Sequence, residues 1–207
     1  MLTTLPNLNR EELRFSEIVL REFSFLEQQG FNHNQRSVTF VRYESSRVFV
    51  NVYHGRASYE LNVEIGLLTA SPDEEERAFS IGEIMELIRG QHKAVFAPPQ
   101  ANTIEGLKQF VSELAVLVKN YAAPALNGDS SFFEELSALR QKNSDSYLAE
   151  LKLKHIRQEV DKAWREKNYG RVLDLYEPFQ ESLTTSEFKK PDYARKHLKS
   201  GTHRARN

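Results

Sequence analysis

Along the first third of the chain the spacing of apolar side chains changes from three-and-four to two, and later returns to three-and-four. Phe15, Ile18, Val19, Phe23 and Leu26 share one helical stripe, interrupted only by Glu22, and predict a helix over residues 10–29. Asn9 is positioned as its N-cap, Glu11 and Glu12 lie in the first turn, and Gly30 follows its end. Alternation then takes over in "SVTFVRYE", "RVFVNVYH" and "ASYELNVEIG", which read as three strands of an antiparallel meander. Ser45-Ser46 and Gly55-Arg56 are the expected turns, the second with glycine where a type II′ hairpin needs it.

Two-residue turns at those places fix a register. Val41, Val50 and Leu61 would stand in one row on the buried face, with Tyr43, Val48 and Val63 on one side and Thr39, Val52 and Tyr59 on the other. The opposite face would carry Arg42, Phe49 and Asn62 in one row, Phe40, Asn51 and Glu60 in the next, and Val38 and Tyr53 beyond them, with Glu64 on the same face. His54 falls at the corner before the second turn, where a histidine without an acidic partner is expected to be exposed and not catalytic.

Helical spacing resumes at "IGEIMELIR", preceded by the capping box Ser80…Glu83 and stopped by Gly90. A loop with two prolines follows, and Asn102 or Thr103 opens a long helix that runs to about Tyr121. "APALNGDSS" breaks it. "FFEELSALRQ" and then residues 145–198 are helical in pattern. The chain therefore reads as an α+β domain over residues 1–145 and a helical extension with a basic tail over residues 146–207.

Composition narrows the function classes. Residues 1–150 carry 14 Lys and Arg against 21 Asp and Glu, a balance of −7, and residues 151–207 carry 14 against 8, a balance of +6. The mean hydropathy of −0.57 and the absence of a long apolar run predict a soluble chain that does not enter a membrane. The N-terminus has no basic start followed by an apolar block, so a cytoplasmic location is expected. With no cysteine there is neither a disulfide nor a thiolate metal site. The six histidines are scattered, and no phosphate-binding glycine loop, nucleophile elbow or paired-histidine metal motif is present; no cofactor is expected. "SPDEEER" reads as a solvated acidic connector.

The outer face of the meander is the candidate site. Phe40, Arg42, Phe49, Asn51, Tyr53, Glu60, Asn62 and Glu64 mix aromatic with charged and amide groups, as interface cores do. They point to a protein partner rather than to catalysis. An enzyme with a site between sheet and helices is the alternative, as is a nucleic-acid-associated protein using the basic tail.

Two resemblances add to this reading. "AWREKNYGRVLDLYEPF", residues 163–179, resembles the junction between the two helices of a tetratricopeptide repeat, with an aromatic restarting the chain at Asn168-Tyr169. Val172 stands where that family has alanine, and Lys167 where it has the turn glycine. The match spans residues 152–182 once, which implies one helical hairpin rather than a solenoid. Residues 10–70, with "VTFVRYES…VFVNVY…YELNVEIG", are similar to small bacterial α+β proteins of the toxin-immunity type. That resemblance implies a non-enzymatic inhibitor of a partner protein, and it supplies no site residues.

Overall fold

A computed structural model describes residues 10–69, 75–90 and 96–204. The chain divides into two compact units, residues 1–139 and 140–207. The first is α+β: an antiparallel sheet whose strands lie side by side in chain order, together with helices. The strands are β1 (Asn32–Ser37), β2 (Phe40–Glu44), β3 (Val48–His54), β4 (Leu61–Leu67) and β5 (Ala78–Ser80).

The meander is present as β2, β3 and β4, but its register is shifted from the one expected. Val41 faces Val52, and Val52 faces Val63, so Val41, Val50 and Leu61 do not share a row. The turns are the cause. Ser45 N–H donates to the Val48 carbonyl at 2.9 Å, which puts Ser46-Arg47 in the first turn. Gly55 N–H donates to the Glu60 carbonyl at 2.7 Å, so residues 56–59 form a four-residue loop, with Tyr59 at φ 56°. Both shifts are even, so every side chain keeps its face. Val41, Val50, Val52, Leu61, Val63 and Ile65 all lie in the core.

Two strands were hidden in the sequence. β1 is polar throughout and exposed at every position, so it shows no alternation; its bulge at Asn34 and its charge blunt the edge of the sheet. β5 has only three residues. Val38-Thr39, expected inside a strand, is the turn between β1 and β2.

The helix expected over 10–29 is two pieces, α1 (Phe15–Glu22) and α2 (Phe25–Gln28). Ser24, which competes for backbone hydrogen bonds, stands at the break, and Arg14 takes φ 52° before the first turn. Asn9 lies outside the described residues. α3 (Ile81–Arg89) has the capping box at Ser80 and Glu83, and its Gly90 cap sits at φ 61°. α4 (Ile104–Tyr121) starts where Thr103 accepts a hydrogen bond from Gly106 N–H. Leu107, Val111, Leu114 and Val118 of α4 and Phe15, Ile18 and Val19 of α1 join the inner face of the sheet in one core. A short turn, α5 (Ala123–Leu126), leads to α6 (Ser130–Arg165), which is continuous through residue 145.

The second unit has its own core. Leu153, Val160 and Ala163 of α6 pack with Val172 and Tyr176 of α7 (Tyr169–Tyr176), Leu183, and Ala194 of α8 (Lys189–Arg204). Trp164, Leu175 and Phe179, whose spacing demands burial, pack against that core. The helical hairpin turns at Lys167, φ 57°, and Asn168 caps α7 by accepting from Arg171 N–H at 3.1 Å. Cations of the basic extension pair with carboxylates inside this unit: Arg157 with Glu150 and Glu187, Arg171 with Glu159, Lys190 with Asp161.

Candidate partner-binding face

Register places seven of the eight candidate residues on the outer face. Arg42, Asn51 and Glu64 lie in one row, with Gln35 before and Ser80 after them. Phe40, Tyr53 and Asn62 form the next row, and Phe49 stands on the other side between Glu44 and Gly66. Glu60 is the exception. It lies outside β4, exposed, and bridges to Gln100 instead.

One end of the face is sealed. The Arg42 guanidinium lies 4.1 Å above the Phe49 ring, donates from Nε to Glu44 at 2.5 Å and from Nη2 to Glu76 at 2.8 Å. Asn34 donates to the same Glu44 carboxylate. Burial works against the Arg42 charge, but the two carboxylates outweigh it and hold the pKa above the ordinary arginine value. Phe49 is 1% exposed, and Gly66 makes room for it: a Cβ there would stand 2.4 Å from both the ring and the Arg77 carbonyl oxygen.

The other end is half-open. Tyr53 Oη donates to Glu64 at 3.0 Å and accepts from Asn62 at 3.1 Å, and Phe40 and Asn51 are half-buried beside them. Burial, then the Glu64 carboxylate, pushes the Tyr53 hydroxyl up to about 12, so it stays a donor at neutral pH. Asn51 Oδ1 is buried without a hydrogen-bond partner among the described residues. The patch thus offers fixed donors and acceptors around an aromatic surface.

His54 is not an exposed turn residue. It is 1% exposed, and its rings' neighbours are Phe15 and Tyr59. Arg10 Nη1 donates to Nδ1 at 2.8 Å, so Nε2 carries the proton and donates to the Ala101 carbonyl at 2.7 Å. Burial first, and the Arg10 charge, lower its pKa, which keeps the imidazole neutral. Arg10 also caps the Gly55 carbonyl and lies 3.9 Å over the Tyr59 ring. The role is structural: a tie between the start of the chain, the β3–β4 loop and the approach to α4.

Sequence reasoning missed Glu44, Glu76 and Gly66 as parts of the face. Alternation in β2 assigns Glu44 to it; Glu76 came from the acidic connector, whose local pattern carries no such signal. Among the described residues, no three His, Asp or Glu side chains converge as a metal site would require, and no helix is long and apolar enough to cross a membrane. Comparison with protein families, with curated proteins and with solved structures finds no match to this chain.

Proposed function

We propose that this chain is a non-enzymatic, cytoplasmic protein-binding module, an inhibitor of the immunity type, whose partner docks on the half-open end of the outer sheet face. The observation that carries the reading is the hydrogen-bonded set Tyr53, Asn62 and Glu64 lying beside Phe40. Side chains already fixed lose little freedom on binding, and an aromatic centre with paired polar neighbours is the usual anatomy of a binding hot spot. Charge supports a basic partner: residues 1–139 hold 12 Lys and Arg against 19 Asp and Glu, a balance of −7.

The test is capture from extracts of the native host with the native chain, the Phe40→Ala and Glu64→Lys variants, and Tyr193→Ala in the other unit. The reading expects a basic protein retained by native and Tyr193→Ala chains and weakened by about tenfold or more in the face variants, as hot-spot losses of about 2 kcal/mol require. Equal retention by the face variants overturns it.

A further inference from the structure

A second concave surface lies in the first unit, on the side of the sheet opposite the face just described. Leu67 at the end of β4, Leu68, Phe79 of β5 and Phe133 of α6 line a cleft of about 520 Å3. The Phe79 and Phe133 rings stand 6.0 Å apart and form an apolar wall. The volume falls in the range of small-molecule sites, roughly 300–1,000 Å3.

The rim carries charged groups. Side chains of the segment before β5 alternate between the two sides: Glu76 turns to Arg42 on the outer face, while Glu75 and Arg77 line the cleft. Glu134, one residue past Phe133 on α6, is the third charged group. Among the described residues, no hydrogen bond or ion pair engages the side chains of Glu75, Arg77 or Glu134, in contrast with Glu44, Glu64 and Glu76 on the other face. Among the described lining residues, two carboxylates stand against one guanidinium, an acidic balance.

We infer that this cleft binds a small apolar amine: an aromatic or branched aliphatic body seated between Leu67, Leu68, Phe79 and Phe133, with its ammonium held between Glu75 and Glu134. Burial of the body supplies the affinity, and the acidic rim selects the sign of the head group. Arg77 makes the same rim less favourable to a ligand with two cationic ends. This site is independent of the partner-binding face, and either can fail without the other.

The experiment uses the full chain and three matched probes: phenethylammonium, 2-phenylethanol and 3-phenylpropionate. Binding is followed by the methyl resonances of Leu67 and Leu68 and the ring signals of Phe133. The expected order is ammonium tightest, alcohol next, carboxylate weakest, with about a 3- to 10-fold gap between the extremes, the size that two exposed charge contacts supply. Glu134→Gln narrows that gap by about 2- to 3-fold without loss of the alcohol's binding, since it removes one such contact. Ser137→Trp, which fills the cleft from α6, abolishes binding of all three. Equal affinity for the three probes, preference for the carboxylate, signals that move elsewhere, or no binding of the ammonium at about 10 mM, an affinity below a few kcal/mol, each overturns the assignment.

Discussion

His54 Nε2 lies 2.7 Å from the Ala101 carbonyl oxygen, joining the last residue of β3 to the segment that leads into α4. The imidazole is shared between that carbonyl and Arg10, so its removal takes the donor from the carbonyl, leaves Arg10 with only its backbone acceptors in the β3–β4 loop, and opens a hole beside Phe15. His54→Ala should therefore destabilise the chain by about 2–3 kcal/mol, the cost of a buried hydrogen bond lost together with packing. Chemical denaturation measures it.

The same residue gives a pH dependence. Its folded pKa is lower than the ordinary histidine value of about 6.5, so the folded state binds its proton less readily than the unfolded chain. Its contribution is full above about pH 6.5 and is lost as pH falls toward the folded value. Denaturation midpoints of the native chain should fall below pH 6.5, and this part of the slope should vanish in His54→Ala.

Tyr53 gives the opposite sign. Its raised folded pKa, about 12, makes its contribution full below about pH 10 and lost as pH rises through 12. An absorbance titration of tyrosinate should show a step near 12 that Tyr53→Phe removes.

These residues also mark what the sequence could and could not disclose. The alternation of Val41, Val52 and Val63 was legible because burial on one face writes a period of two. The register was not, because it depends on turns, and Tyr59 reaches φ 56° without a glycine to announce it. β1 left no signal, since "NHNQRS" is exposed on both sides. The burial of His54 has no local signal, because its partners, Arg10 and Ala101, lie 44 and 47 residues away. The outer face was legible through parity alone, while its seal, Glu76, reached it through a tertiary contact.

Gly66 is a test of how tightly that seal is built. A methyl group at this position meets the Phe49 ring and the Arg77 backbone, and the backbone cannot move without shifting the start of β5. Gly66→Ala should cost about 1–3 kcal/mol through overpacking and weaken the Arg42–Glu76 contact. Thermal unfolding together with the chemical shift of Arg42 Nη2, the donor to Glu76, reports both effects.

In the second unit, Lys167 holds φ 57° at the turn of the helical hairpin, a conformation that favours glycine. A side chain in the left-handed region costs about 1 kcal/mol that glycine avoids. Lys167→Gly should raise the stability of the helical hairpin by several tenths to about 1 kcal/mol, read from the unfolding of the C-terminal unit by hydrogen exchange.

The proposed protein partner docks on the open end of the outer sheet face. Photo-crosslinking from single introduced groups tests it most directly, with one group at Val38, exposed beside Phe40, and another at Val116, exposed on α4. The account predicts one basic protein joined at Val38, lost when Phe40→Ala is added, and no product at Val116. Crosslinking of the partner at Val116 alone, or equally at both positions, would contradict it.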